Sequence, residues 1–167
     1  ATIGQYLAGP LSVGGTLGSL AISQYLSGSL TVGADAGSLS VGQYVSGAVS
    51  ISGSLGTASL GQSLTGTFVV AGNLTTLRTG QGVGGKLGVG GDVGDRDQSS
   101  GKTGITIQSP LQGQVVILGN VYGDLTFNGG TLHTTGNIDT ARDMALQGGG
   151  GTIANDAGTT SVVSGSL

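Results

Sequence analysis

Three kinds of side chain in this sequence are placed where they could do chemistry. They are scattered carboxylates, one histidine, and a Gln-Tyr pair that returns at a fixed interval. All eight acidic residues are Asp. Polysaccharide cleavage needs two carboxyl groups facing one bond, and Asp92, Asp95, Asp97, Asp124, Asp139, Asp143 and Asp156 are the candidates, with Lys102 or Arg142 as basic neighbours. Only a fold that stacks distant segments could bring such a cluster together. Asp92, Asp95 and Asp97 also suggest a cation loop, but their spacing fits neither the EF-hand nor the nonapeptide calcium repeat. His133 is the sole histidine and sits among Thr residues. It reads as a surface or capping residue, and no Ser-His-Asp arrangement is marked by spacing. The Gly-rich stretch around Lys86 lacks the Lys-Ser or Lys-Thr ending and the helix that a phosphate loop requires. With no Cys there is no thiolate nucleophile, metal thiolate or disulfide. No catalytic residue, metal or cofactor is expected, and an enzyme is not the reading these residues favour.

The Gln-Tyr pair is different. The phrases IGQYLAG, ISQYLSG, VGQYVSG, LGQSLTG and TGQGVGG begin at Ile3, Ile22, Val41, Leu60 and Thr79, each 19 residues after the last. Gln5, Gln24, Gln43, Gln62 and Gln81 therefore share one phase, and Tyr6, Tyr25 and Tyr44 the next. Self-similarity at a fixed period marks a solenoid, in which each repeat covers the apolar face of its neighbour. Equivalent side chains then stack about 4.8 Å apart. Gln amides could hydrogen-bond up such a column. Each Tyr precedes an inward Leu or Val, so alternation turns it outward. The two columns hold register, and they also form a candidate face for carbohydrate or another partner.

The elements that position these columns are short strands. Apolar-polar-apolar triplets recur twice per unit, as in Leu11-Ser12-Val13, Leu20-Ala21-Ile22, Leu30-Thr31-Val32 and Leu39-Ser40-Val41. A period of two puts the first and third residues inward. One more apolar residue follows each triplet, among them Leu17, Leu26, Leu55 and Leu64. The gaps are too short for the crossover that parallel strands normally need, unless each strand pairs with its equivalent one coil later. The expectation is an all-β, single-stranded parallel β-helix of about 19 residues per coil, with Leu17, Leu26, Val32, Val41, Ile51, Leu55, Leu64 and Val70 in its core.

One solenoid is expected over residues 1–167, in three stretches: regular repeats over 1–93, a polar loop over 94–104 inserted at a coil corner, and less regular coils over 105–167. In the last stretch the triplets read Ile105-Thr106-Ile107, Val116-Ile117-Leu118 and Leu125-Thr126-Phe127. Composition narrows the partners. Gly supplies 37 positions without a triplet period and Pro only 2, which excludes collagen. The net charge is −3 and the basic residues are not clustered, which argues against nucleic acid. No apolar run reaches bilayer length, and no transmembrane segment is expected. The first residues lack the charged and apolar regions of a signal peptide.

The phrases at residues 129–132 (GGTL), 149–153 (GGGTI), 155–158 and 162–167 resemble the repeats of autotransporter passenger domains. The 19-residue array is similar to the Gly-rich solenoid repeats of filamentous-haemagglutinin-type surface proteins. The resemblance implies a right-handed helix, which the general hand of parallel crossovers also favours. It further implies an extracellular or bacterial cell-surface location and a role as adhesin, stalk or fibre. The competing readings are a polysaccharide-binding or polysaccharide-cleaving β-helix and an intracellular bactofilin-like filament. The ends suggest self-association: Ser166 and Leu167, set before Ala1, Thr2 and Ile3, read GSL-ATIGQYL, close to the internal GSL-AISQYL. Head-to-tail contacts of this kind give filaments rather than rings.

Overall fold

A computed structural model describes residues 1–95, 104–110, 112–128, 131–134, 138–140, 144–146, 152–155 and 161–163. The chain winds into a parallel β-solenoid. One sheet stacks eight strands in chain order: Thr2–Ile3, Leu17–Ile22, Ala36–Val41, Leu55–Leu60, Leu74–Thr79, Gly104–Pro110, Asp124–Asn128 and Met144–Leu146. A second sheet stacks Leu11–Val13, Ser29–Val32, Ala48–Ile51, Thr67–Val70, Lys86–Val89, Gln114–Ile117, Thr131–Thr134 and Thr152–Asn155. Ile138–Thr140 pairs with Ser161–Val163 in a small third sheet. Seven steps of about 4.8 Å make each long sheet roughly 34 Å tall.

Every described strand pair is parallel, and through the regular coils each residue lies opposite its own equivalent. Leu20 pairs with Leu39, Leu39 with Ala58 and Ala58 with Leu77. A single-residue bridge closes the third side of each coil, running Leu7, Leu26, Val45, Leu64 and Val83. A one-residue slip would turn a whole inward row to solvent, so the buried rows themselves hold the register.

The strands of the first sheet are longer than the sequence triplets. In Ala36–Val41 the buried residues are Ala36, Leu39 and Val41, a spacing of three and then two. Gly37 and Ser38 between them both reach solvent. The strand turns a corner there, which lets the apolar residue before each triplet join the same strand. Of the expected core residues, seven are buried and Leu17 is only partly so. Leu17 belongs to the first coil, with no described residue on its outer side. Thr79 stands where the preceding coils carry Ile22, Val41 and Leu60. It is the buried polar residue of the described core, and its Oγ1 donates to the Gln81 carbonyl at 2.6 Å, which satisfies the hydroxyl.

Glycine is required at one corner by close approach. A Cβ on Gly47 would overlap the Gly28 carbonyl oxygen one coil before, and the same holds for Gly66 on Gly47 and Gly85 on Gly66. The coils stack there backbone on backbone.

The step between equivalent residues is 19 from Leu74 to Val93 but 28 from Val93 to Val121. Leu77 pairs with Ile105, also 28 later. Nine extra residues therefore enter between Val93 and Ile105. The residues bracketing them, Gly94 and Gly104, have φ of 91° and 122°, a backbone region that glycine enters without steric cost. Gly94 and Gly104 align with Thr75 and Thr76, so the insertion splits the long strand of this coil at its corner.

The second sheet corrects one reading of the sequence. Val116-Ile117-Leu118, taken as inward-outward-inward, is shifted by one. Leu87 pairs with Val115 and Val89 with Ile117, so Val115 and Ile117 are buried while Leu118 is 55% exposed. The run from Val115 to Leu118 is continuously apolar, so its own pattern does not choose a face. Pairing with the preceding strand does.

Candidate functional site

The Gln-Tyr edge is built in the turn between the long strand and the single-residue bridge. The bridge residues Leu26 and Val45 are buried, and the Tyr before each is thereby held outward. Tyr6 is 46% exposed, and Tyr25 and Tyr44 are half-buried beneath it. The rings stack with centroids 4.9 and 5.1 Å apart and interplanar angles of 4° and 2°. Ser63 and Gly82 occupy this position in the next two coils, so the aromatic column spans three coils while the Gln column spans five.

The Gln column is joined by its main chain. Gln24, Gln43, Gln62 and Gln81 each donate their backbone N–H to the preceding Gln carbonyl, at 2.8 to 3.2 Å. The amide side chains, expected to bond up the column, carry no hydrogen bond to other described residues. The backbone ladder alone satisfies this turn, and the amides stay available to solvent or a ligand.

A second column escaped the sequence reading. At the corner before the long strand, Ser54 N–H donates to Asp35 Oδ1 at 2.8 Å, and Asn73 N–H to Ser54 Oγ at 3.1 Å. Asp92 N–H donates to Asn73 Oδ1 at 2.8 Å. Asn120 reaches Asp92 Oδ1 with its N–H at 2.7 Å and its Nδ2 at 3.2 Å. Each short polar side chain caps the backbone of the next coil, where the ladder of carbonyls is interrupted. The signal was present: Asp35, Ser54, Asn73 and Asp92 lie 19 apart, each just before an inward apolar residue. Asp92, a candidate for metal or acid-base work, is thereby given a structural task.

A third feature follows from the shifted phase of Val116. On the outer face of the second sheet, Ser12, Thr31 and Ser50 give way to Val69, Gly88 and Val116. Gly88 lacks a side chain between two Val ridges, and a shallow notch of about 490 Å³ opens there, flanked by Leu118 and Lys86.

The remaining candidates are dispersed. Asp95 borders the insertion and Asp124 opens a strand of the first sheet; both have partners. His133 and Asp139 fall in strands whose side chains lie outside the described set, and Asp97, Lys102, Arg142, Asp143 and Asp156 lie outside the described residues. Thr2 and Ile3 pair with Ala21 and Ile22, and the Ala1 ammonium donates to the Ser19 carbonyl at 2.7 Å. Ser166 and Leu167 are outside the described residues. Among those described, no group of three or more His, Cys, Asp or Glu is arranged to hold a metal, and no helix is long and apolar enough to cross a membrane. No protein-family model, curated protein or solved structure matches this chain.

Proposed function

We propose that this chain is a structural segment of a longer rod, built to be extended coil on coil and displayed outside a bacterial cell. The observation that carries this reading is the in-register stacking of equivalent residues, by which each internal coil is covered on both sides. Ile3, Leu7, Leu11, Val13 and Leu17 are only partly buried, whereas their equivalents Ile22, Leu26, Leu30, Val32 and Ala36 are at most 4% exposed. Each internal coil thus buries its apolar residues because an equivalent coil lies on either side of it. A further coil of the same type, from the same polypeptide or a second copy, is the chemically matched occupant. The surface location is supported by the resemblance of residues 127–167 to passenger-domain repeats, and no catalytic role is assigned.

Electron microscopy of the isolated chain tests the assembly half of this reading. Rods several times the roughly 34 Å length of one copy are expected, and Leu7→Asp with Leu11→Asp should reduce them to single units. Single short rods from the unsubstituted chain at high concentration would overturn self-stacking. Protease accessibility on intact cells checks the location.

A further inference from the structure

The Gln-Tyr edge has the properties of a track. Its main chain is already satisfied coil to coil, its five amides and three phenolic hydroxyls make no hydrogen bond to other described residues, and all reach solvent. Each amide offers donors and an acceptor, and each phenol one of both. These groups repeat at the ring step of 4.9 to 5.1 Å. A ligand using several coils must share that step. An extended peptide advances roughly 6.8 Å between side chains on one face, so it loses register within about two coils. Nucleic acid needs clustered cations, and residues 1–77 contain no Lys or Arg. A neutral polymer of hydroxyl-bearing rings fits better. In an extended β-1,4-linked hexose chain the advance per sugar is one pyranose length, close to this step. Successive rings are turned over, so the side facing the track shows a vicinal hydroxyl pair at every second coil and a hydroxymethyl group at the coils between, each able to donate and accept.

We propose that this edge binds an extended, uncharged β-linked polysaccharide lying parallel to the solenoid axis, one sugar per coil. Single contacts at an exposed edge are weak, but successive sugars on one chain engage at high effective concentration, so affinity accumulates with length. The proposal goes beyond the structural reading and does not depend on it, since one isolated rod carries the whole track.

The test is calorimetric titration of the intact chain with β-1,4-linked gluco-oligosaccharides from disaccharide to hexasaccharide, with α-1,4-linked oligosaccharides of equal length as the comparison. Affinity should climb with each β-linked sugar and level off at the fifth, and the curved α-linked series should bind about tenfold more weakly or not at all. The triple variant Gln24→Ala, Gln43→Ala, Gln62→Ala should lose at least about tenfold in affinity for the pentasaccharide while its melting temperature and circular dichroism stay unchanged. Tyr44→Phe, which keeps the stack and removes one hydroxyl, should lose a smaller factor. Absent binding, affinity independent of length, equal binding of the α-linked series, or a triple variant that binds as the parent does would each overturn the proposal. Failure of rods to assemble would leave it standing.

Discussion

Residues 1–95 and the coils beyond Gly104 pair strand on strand in the same parallel sheets but keep step differently. In the first region every paired residue lies 19 after its partner. In the second the interval is 20 from Ile105 to Leu125, 17 from Val115 to Leu132, 19 from Leu125 to Met144 and 21 from Leu132 to Ile153. Strand pairing survives all of these. The constant quantity is the parallel pairing of strands across the ladder, while the chain length between paired strands varies. A strict repeat is sufficient for this fold but not necessary to it.

The strongest way to break the comparison is to remove what one coil supplies to the next. Leu26→Ala should cost about 2–5 kcal/mol, because Leu26 is fully enclosed between two coils. Leu7→Ala, the same residue in the same phrase, should cost about 1 kcal/mol or less, since its outer side is uncovered. Urea unfolding of the two variants measures the gap, and equal losses would show that the coils do not lean on one another. Next in size is a neighbouring glycine pair. Gly85→Ala places a methyl on the Gly66 carbonyl and should cost about 2 kcal/mol or more, while Gly84→Ala, with open space around it, should stay within about 0.5 kcal/mol. Asn73→Ala, which takes the acceptor from Asp92 N–H at an exposed corner, should cost about 1 kcal/mol. The smallest effect sharpens the comparison instead. Deleting residues 95–103 joins Gly94 to Gly104 and restores the 19-residue step, and stability should change by less than about 1 kcal/mol. A collapse of the melting transition would show that the second region needs more than register.

Much of this was legible because the period of the Gln phrases fixes which residues must stack, and stacking dictates parallel strands. Val32, Val41 and Val70 followed from alternation within the triplets, and Leu26 from the apolar residue that follows each triplet. Leu17 did not, since burial of a solenoid residue depends on the coil beyond it, which local pattern cannot show. The face of Val116 was hidden by a run of four apolar residues, and only its opposition to Gly88 reveals it. The Asp35 column went unread because it is chemically mixed: Asp, Ser and Asn look unrelated as letters, yet each offers a side-chain oxygen that reaches the N–H of the next coil. The Gln series misled in the opposite sense. Identical amides suggested a side-chain ladder, whereas the backbone alone makes the bonds.

That mixed column also has a direction. In every rung the accepting oxygen belongs to the earlier coil and the donated N–H to the later one: Asp35 serves Ser54, Ser54 serves Asn73, Asn73 serves Asp92 and Asp92 serves Asn120. A chain threaded out from its N-terminus therefore meets, at each new corner, a partner already in place. Growth in the opposite sense would leave each backbone N–H unpaired until the preceding coil brought its acceptor. The fold carries within one row of side chains an arrow that matches the order in which a polypeptide is made.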